Sequence, residues 1–464
     1  MTRKHWKKVV SLVLGGAVAV AVIGAVPASA ATSSFTGWQA AYQSNAGDVA
    51  AYGGLAIDDV GQAAYPGSSP SVAILPNGGY EIASMSANGL LNLAGTARTG
   101  QLYYGLRGGS SPSIAASPAD GTYVVAMQVN FGALWLWRSA TNSAVMSSNM
   151  MANSTSPAVA AFPEGGYEVA YQGIDGNLAL YGYDGGFSMS TGQAMKAGTS
   201  PSIAIINNVV AVAYQTPGGS VSVFTAYTGI SMTTGTRPIG TMNSTMNMVN
   251  NTSPSIAGLT ANGTTTTFKL AFRANTGNAY FTTCSVVLNS SGTFSYGLSG
   301  GTDTGCATKV NTGVGIAPLA GGAFQAVFQS PDGSLWSYPS TGAATSLGKA
   351  VSPSTPCVAT ALGGSCAPSS TNAAPLTLTS PASQSIQQGV PAWIILNAIG
   401  GEAPYAWSVT GLPAGMGIAM GVDKSTGAQL NGTPTTRGTF PVTVSVRANN
   451  GATNSVSFTL TVTA

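Results

Sequence analysis

The sequence has almost no histidine: His5 is the single one among 464 residues. It lies in an N-terminal segment that, as argued below, is expected to be removed. The remaining chain then has no imidazole to act as a general base or a metal ligand, which excludes Ser-His, Cys-His and His-metal mechanisms. We expect neither a metal ion nor another cofactor.

Charged residues are also scarce, since Asp, Glu, Lys and Arg make up 6% of the chain, against about 25% in ordinary soluble domains. Four of the 16 basic residues lie before residue 9, so 12 basic and 13 acidic residues remain without that segment. No basic stripe is left to contact phosphates, and nucleic acid is therefore not an expected partner. The surface must be polar through hydroxyl and amide groups, which suit neutral ligands.

The N-terminus has the pattern of a secretory signal. The basic stretch MTRKHWKKVV is followed by an apolar run over 9–26, and Ala28 and Ala30 give the small-x-small pattern of a cleavage site. An uncleaved membrane anchor is the alternative, because the run is nearly long enough to span a bilayer. The cleavage site favours a signal peptide over residues 1–30. We therefore expect a secreted, extracellular protein, with cell-surface association possible and no membrane contact after cleavage.

Four cysteines remain in the exported chain: Cys284, Cys306, Cys357 and Cys366. An even number in an exported protein indicates two disulfides. The spacing favours Cys284–Cys306 and Cys357–Cys366 among the three possible pairings. A metal site is the alternative, and the absence of any C-x-x-C pair argues against it.

A repeat runs through most of the chain, and its first marker is Ser-Pro followed by a short apolar stretch such as SPSIA. The marker begins at Ser69, Ser111, Ser156, Ser200, Ser253 and Ser352, with a degenerate copy, GVGIA, at 313–317.

The second marker is a strand-turn-strand pattern such as GGYEVAYQGIDGNLALY at 165–181. It carries a glycine four residues after a fixed polar position. The seven pairs are Gln43/Gly47, Met85/Gly89, Gln128/Gly132, Gln172/Gly176, Gln215/Gly219, Arg273/Gly277 and Gln329/Gly333. The alternating β-forming residues predict strands, and the glycine predicts a tight turn with a positive φ.

The period of the repeat, mostly about 39–45 residues, leaves room for four strands in each copy. Seven such copies predict an all-β fold, a seven-bladed β-propeller over residues 31–364. The first copy lacks the Ser-Pro strand, and the last copy has the Ser-Pro strand but no strands after it. We therefore expect the N-terminal strands to close the last blade and remove its open edge.

The repeat resembles the PLL-like seven-bladed propellers, on the residues S-P-S-I-A, G-G-Y-E-V-A-Y-Q and G-N-L-x-L-Y. That family contains fucose-binding bacterial lectins with sugar sites between blades. The resemblance spans residues 31–364 and implies glycan partners, fucosylated or O-methylated sugars among them.

The repeat ends before a small linker at 365–375, and alternating strands over 376–464 predict an Ig-like β-sandwich. GLPAGM at 411–416, DKSTG at 423–427 and LNGTPTTRGTF at 430–440 resemble an Ig domain family of bacterial surface and exported proteins. In that family the domain is usually a spacer or an adhesion module. Trp393 and Trp407 are expected in its core.

Two sets of side chains are candidate sugar contacts. The first is the repeated polar position, because amides both donate and accept hydrogen bonds; the alternative is that each side chain satisfies the backbone of its own hairpin. Its members are Gln43, Gln128, Gln172, Gln215, Gln329 and Arg273.

The second set consists of aromatic rings on the returning strands, which stack on sugar faces when exposed and belong to the core when buried. Trp135, Trp336 and Tyr181 are the candidates. The pairs Leu91/Leu93 in one copy and Val221/Val223 in another occupy these strands without rings, which indicates that only some blades bind.

The function expected from these features is multivalent, non-catalytic carbohydrate binding by a lectin-like exported protein. The alternative is a structural or adhesive cell-surface protein with protein or wall partners. A carboxylate-dependent glycoside hydrolase is the third hypothesis; Asp58, Asp59 and Asp303 would be its acids, since Glu81 and Glu168 share one repeat position and are interpreted as strand-surface residues.

Overall fold

The computed structural model describes most of the chain beyond the predicted signal. The described ranges are 37–55, 60–184, 186–228, 237–250, 252–364, 376–378, 383–399, 405–420, 427–448 and 452–464. The predicted signal, the predicted linker and the hypothetical acids Asp58 and Asp59 lie outside them. Within the described ranges no helix is both long and apolar enough to cross a membrane.

Six consecutive four-stranded antiparallel sheets make up the middle of the chain, and we number them as blades 1 to 6. Two strands, β1 (Trp38–Gln43) and β2 (Val49–Gly53), precede blade 1 and belong to the seventh blade. Blades 1, 2 and 3 comprise β3 (Ser71–Ile74), β4 (Tyr80–Met85), β5 (Leu90–Gly95), β6 (Thr99–Gly105); β7 (Ser113–Ala116), β8 (Tyr123–Gln128), β9 (Ala133–Arg138), β10 (Ser143–Met150); and β11 (Ala158–Ala161), β12 (Tyr167–Gln172), β13 (Asn177–Tyr183), β14 (Met189–Ala194). Blades 4, 5 and 6 comprise β15 (Ser202–Ile206), β16 (Val209–Gln215), β17 (Ser220–Tyr227), β18 (Ile239–Asn247); β19 (Ser255–Asn262), β20 (Thr265–Arg273), β21 (Asn278–Leu288), β22 (Phe294–Ala307); and β23 (Val314–Pro318), β24 (Phe324–Gln329), β25 (Ser334–Pro339), β26 (Thr345–Ala350).

The seventh blade combines both ends of this region. It contains β1 (Trp38–Gln43), β2 (Val49–Gly53) and β27 (Cys357–Thr360), and β1 lies between the other two, antiparallel to both. The first strands of neighbouring blades contact one another in order, and β27 contacts both β23 and β3, so the ring is closed. The predicted all-β propeller of seven blades is confirmed, and its N-terminal strands complete the last sheet. The predicted domain bounds themselves stay predictions.

Each blade is built around a hairpin whose turn needs glycine. In five of the seven blades the second strand is buried along its whole length, as in Tyr167–Gln172, because each sheet packs against a neighbour on both faces. The turn glycine of every copy has a positive φ, between 80° and 93°. Residues with a Cβ are disfavoured in that backbone conformation, so the sequence repeats glycine there. The predicted turn is confirmed in all seven copies.

A ring of buried hydroxyl groups joins the first strands around the centre. In each step a backbone N–H donates to a side-chain hydroxyl of the next blade, at 2.8–3.0 Å. The donor-to-acceptor pairs are Ser69–Ser111, Ser111–Ser156, Ser156–Ser200, Ser200–Ser253, Gly313–Thr355 and Thr355–Ser69. The seventh blade enters this ring through Thr355, so the marker assigned at Ser352 is wrong by three residues: Thr355-Pro356 takes the Ser-Pro position.

Gly313 occupies the one position of this ring that has no hydroxyl. A Cβ built on Gly313 would lie 3.4 Å from Ser253 O and from the Thr355 side chain, close to ordinary contact, and its φ is not positive. We expect Gly313→Ser to supply an acceptor for the Ser253 N–H and to raise the unfolding free energy by about 1 kcal/mol. Thermal melting with Gly313→Ala as the control isolates the hydroxyl, because alanine gives only the loss of chain entropy in the unfolded state. Equal melting temperatures for the two variants would contradict the expectation.

The C-terminal region forms two four-stranded sheets, in the orders β28-β30-β33-β32 and β29-β35-β34-β31. Their strands are β28 (Thr377–Leu378), β29 (Gln384–Gln387), β30 (Ala392–Ile399), β31 (Ala406–Thr410), β32 (Met416–Met420), β33 (Gly427–Gly432), β34 (Gly438–Arg447) and β35 (Thr453–Thr463). Residues from both sheets share one apolar core, which confirms the predicted Ig-like sandwich. Trp407 belongs to that core, at 9% exposure, but Trp393 is 69% exposed. The expectation for Trp393 is wrong because its position on β30 faces outward, away from the facing sheet.

The predicted disulfide between Cys284 and Cys306 is wrong, because both thiols are free. The two cysteines lie on neighbouring strands of one long hairpin, where Cys284 is opposite Leu298 and Ala307 is opposite Asn278. Along the strand direction, Cys306 therefore lies about five residues from Cys284, or roughly 17 Å at about 3.3 Å per residue. A disulfide can bridge Cα atoms that are at most ~7 Å apart. Cys357 is disulfide-bonded. Cys366 lies outside the described residues, so its pairing with Cys357 stays a prediction.

Candidate functional site

The five repeated glutamines are buried in the scaffold, each at most 1% exposed. The Nε2 group of Gln172 shows their role: it donates to Gly176 O in its own turn at 3.2 Å, and to Met195 O and Lys196 O in the segment leading to the next blade at 3.4 and 3.3 Å. Equivalent bonds from Gln43, Gln128, Gln215 and Gln329 reach their own turn and the following segment. The amide nitrogens are thus used by the backbone, as the alternative interpretation expects.

Arg273 replaces glutamine in blade 5 and also turns toward the following segment. Its Nε donates to Thr308 Oγ1 at 2.9 Å, and the residue is 9% exposed. The structure therefore does not bring Arg273 and the glutamines together as one exposed surface. A sugar contact at these six positions stays a prediction, and the accessible side chains of the blades lie elsewhere.

The position on the third strand seven residues after the repeated polar position is a half-buried aromatic residue in blades 2, 5 and 6, and it is buried in blades 1 and 4. In blade 2 this position is Trp135, which lies opposite Met127 on β8 and Met146 on β10. Directly opposed residues share a face of the sheet. We call such a set the cleft row of a blade; in blade 2 it faces blade 1.

An aromatic cleft lies between blades 1 and 2. Trp135 is half-buried, and its ring meets Tyr104 of blade 1 edge-on at 6.4 Å between centroids and Phe131 of its own turn at 5.6 Å. Phe131 is 61% exposed and Met146 is 70% exposed. The Arg107 guanidinium lies beside the same turn, where Nη1 donates to the backbone oxygen of residue 130 at 3.5 Å. Two blades thus supply an accessible aromatic wall with a cation at its edge.

Blade 6 has the second tryptophan of this kind. Trp336 is half-buried, lies opposite Phe328 and Ser346, and donates from Nε1 to Ser334 Oγ at 2.9 Å. The partly buried Cys306 of blade 5 packs in the same cluster. The third aromatic candidate, Tyr181, is half-buried against the core between blades 2 and 3. The three aromatic candidates therefore belong to three separate clefts.

The other cleft rows differ in chemistry. Asn92 stands at the Trp135 position in blade 1 and Ser222 in blade 4, because they follow Met85 and Gln215 by seven residues. The comparison with Leu91/Leu93 and Val221/Val223 is therefore wrong. Those four side chains are fully buried against the following blade, on the opposite face of the sheet. Asn92 was missed, although its offset from the turn glycine gives it directly.

Among the residues that the structure describes, the three acids considered above lie in three different blades and form no catalytic pair. Glu81 and Glu168 are fully buried in separate blades, so their interpretation as surface residues is wrong. Burial raises the pKa of Glu81 to about 7 and that of Glu168 to about 8, although backbone N–H groups donate to both carboxylates. Asp303 is exposed, and hydrogen bonds from the Gly305 N–H, Asn278 and Thr276 lower its pKa, which favours the ionised form over a general acid.

No group of three or more potential metal-ligating side chains occurs among the residues that the structure describes. The hydrogen-bonding groups of the clefts described above are amides, hydroxyls, the Trp336 indole N–H and the Arg107 guanidinium. Amides and hydroxyls both donate and accept, as the hydroxyl groups of a neutral ligand do, whereas the indole and the guanidinium only donate.

Comparison with known proteins gives one family. Residues 368–463 match a model described as "Putative Ig domain", which agrees with the sandwich fold and with the resemblance noted for the tail. No curated protein sequence matches the chain.

Solved propeller structures are similar only in part. A triple arginine-to-alanine mutant of AofleA from Arthrobotrys oligospora matches with a TM-score of 0.46 and 13% identity, over 65% of this chain and 91% of that one. The fucose-specific lectin from Aleuria aurantia matches with a TM-score of 0.42 and 12% identity, over 62% and 96%. A prolyl endopeptidase matches with a TM-score of 0.34 and 8% identity, over 91% of this chain and 56% of that one.

Proposed function

We propose that this chain is an exported, non-catalytic carbohydrate-binding protein whose propeller binds neutral glycans in clefts between blades. The observation that carries the proposal is the aromatic cleft of Tyr104, Phe131 and Trp135. Rings from two blades stand at the surface there, and they can pack against the apolar face of a sugar while Arg107 bonds to its hydroxyls. Trp336 offers a second cleft of this type.

Fucosylated and O-methylated sugars are the first ligands to test. Their methyl groups add apolar surface that an aromatic wall can bury, at about 0.8 kcal/mol per buried carbon. The low charge of the chain suits an uncharged ligand. Two or more such clefts on one ring would raise avidity for a clustered glycan without strong single sites.

We expect Trp135→Ala to weaken glycan binding at least tenfold, about 1.4 kcal/mol, as for an aromatic anchor in a binding site. The measurement is a glycan array followed by calorimetry with the best sugar, on residues 31–464. Trp393→Ala is the matched control, because Trp393 is an exposed tryptophan on the Ig-like sandwich. A loss with Trp393→Ala alone would move the site to the sandwich, and a blank array from folded protein would refute the proposal.

A structural or adhesive role is the second candidate, and the exposed side chains Trp393 (69%) and Ile395 (68%) on β30 favour it. Directly opposite them on β33 lie Asn431 and Gln429. A protein partner captured in a pull-down that competing sugars do not release would favour adhesion over lectin activity. Release by free sugar would favour the lectin.

A further inference from the structure

A cleft of about 410 Å³ between the seventh blade and blade 1 is lined by four side-chain amides. They belong to Gln62, Asn88, Asn92 and Gln101, and the rest of the described lining is glycine and alanine. No lining residue is charged or aromatic, which separates this cleft from the one that contains Trp135. Its volume lies within the range of about 300–1,000 Å³ usual for small-molecule sites.

The polar character of the cleft comes from the cleft row of blade 1. Ser84, Asn92 and Gln101 are directly opposed across β4, β5 and β6, so they share one face. The same row in blade 2 is Met-Trp-Met, and in blade 6 it is Phe-Trp-Ser. Blades 2 and 6 fill these positions mainly with apolar side chains. The fold therefore does not require the three hydrogen-bonding side chains of blade 1.

Asn92 has an unsatisfied acceptor at the base of the cleft. It is 1% exposed; its Nδ2 donates to Gln62 Oε1 and, at 3.4 Å, to Ser84 Oγ. Its Oδ1 is buried and has no partner among the described residues. A buried acceptor without a partner costs about 1–3 kcal/mol of stability, so this side chain weakens the empty fold.

The remaining amides are arranged around that acceptor. Asn88 Oδ1 accepts from Gln101 Nε2 at 3.2 Å and from Ser86 Oγ at 2.5 Å, which orients its Nδ2 group as a donor for other partners. Gln62 Nε2 donates to Leu93 O at 3.5 Å, which fixes the amide that receives Asn92. The cleft therefore presents an acceptor and a donor held by neighbouring side chains.

We propose that this cleft binds a small uncharged polyol through its hydroxyl groups. A hydroxyl can donate to Asn92 Oδ1 and accept from Asn88 Nδ2, and adjacent hydroxyls can satisfy both amides at once. The cleft has no aromatic side chain on which a sugar face could stack. Hydrogen bonds to the hydroxyl groups therefore hold this ligand, in contrast to the sugar proposed for the aromatic clefts. The inference deepens the proposed carbohydrate binding by adding a second ligand class, and its residues are separate from Trp135 and Trp336.

The test is binding of a free alditol and of methyl pyranosides to residues 31–464, measured by saturation-transfer NMR and calorimetry. Asn92→Leu keeps the branching and the number of side-chain heavy atoms and removes both polar atoms. We expect it to lower polyol affinity at least tenfold and to leave the melting temperature equal or higher, since the unpartnered oxygen is gone. Gln101→Leu, at an exposed position, should lower the affinity as well and serves as the second variant.

Gln193→Leu is the matched control. Gln193 occupies the position equivalent to Gln62 in the cleft between blades 3 and 4, where its Oε1 accepts from Tyr214 OH at 3.2 Å. Polyol binding that survives Asn92→Leu and Gln101→Leu would overturn the inference, as would no polyol binding by folded protein. Glycan binding that depends on Trp135 but not on Asn92 would sustain the proposed function and refute only this second site. Alditol binding that Asn92→Leu weakens would support the inference, and binding of the pyranosides without the alditol would overturn it.

Discussion

A chain without its closing strands, lacking residues 31–53, is expected to lose the cooperative unfolding transition of the propeller. β1 lies in the middle of the seventh sheet, so this truncation removes β1 and β2 and leaves β27 as the single strand of that sheet. Six buried apolar side chains leave with the two strands: Ala40, Ala41, Tyr42, Val49, Ala50 and Ala51. The lost burial and hydrogen bonds come to on the order of 10 kcal/mol, which is comparable to the whole stability of a typical domain.

Scanning calorimetry and near-UV circular dichroism measure this loss. A circular permutant, with residues 37–55 placed after residue 364 through a short linker, restores every strand while changing the connection. We expect the permutant to melt cooperatively and the truncated chain not to, since the ring needs the strand and not its position in the sequence. A truncated chain that melts at the temperature of the intact protein would contradict the closure by β1.

The stability of the propeller is expected to fall as the pH rises, because of two buried carboxyl groups. The pKa of Glu81 is raised to about 7 and that of Glu168 to about 8, both mainly by burial, whereas the unfolded-chain value is about 4.3. Between these values the folded state holds protons that the unfolded state has released. The contribution is therefore fully present below about pH 4 and is lost as the pH rises through the folded values.

Replacing both residues by glutamine should remove this dependence. Glu81→Gln and Glu168→Gln keep an uncharged group of the same shape, and each should stabilise the protein at pH 9 by on the order of 3 kcal/mol. Thermal melts from pH 4 to pH 9 are the measurement. Glu164→Gln, at an exposed turn, is the control; an effect of equal size there would assign the change to net charge, and a double variant that still loses stability with pH would refute the role of the two carboxyls.

The sequence predicts the architecture well because the repeated residues correspond to defined backbone features of each blade. The turn glycine recurs in all seven copies and a polar residue four positions before it in six of them, and each turn has the backbone conformation that glycine permits. The missing Ser-Pro strand of the first copy predicts the pairing of β1 with β27. Local pattern and ring closure thus point to one fold.

The errors arise where burial depends on the neighbouring blade. Alternation along a strand separates an inner from an outer face in a two-layer protein, but a blade packs on both faces. Glu81 and Glu168 are therefore buried although they alternate with apolar residues. Trp393 lies in the sandwich, where a strand has one outward face, and it is exposed because it alternates with the buried Ile394.

Spacing misled the prediction for Cys284 and Cys306 for a similar reason. The long hairpin places residue 284 opposite residue 298. The number of residues between the cysteines does not determine the register of β21 with β22. Asn92, in contrast, could have been found from the sequence, since its offset from Met85 equals that of Trp135 from Gln128.

Ring closure also has a consequence for folding kinetics. The register of β1 with β27 pairs Trp38 with Thr360, so the first strand to be synthesised finds its partner among the last strands of the propeller. Contacts between residues far apart in sequence slow folding, because the loop must close before the contact forms. β1 can pair with β2 at once, but its other edge stays open until β27 has been synthesised. A nascent propeller therefore exposes an unpaired strand edge throughout its synthesis, and such an edge can pair with another chain.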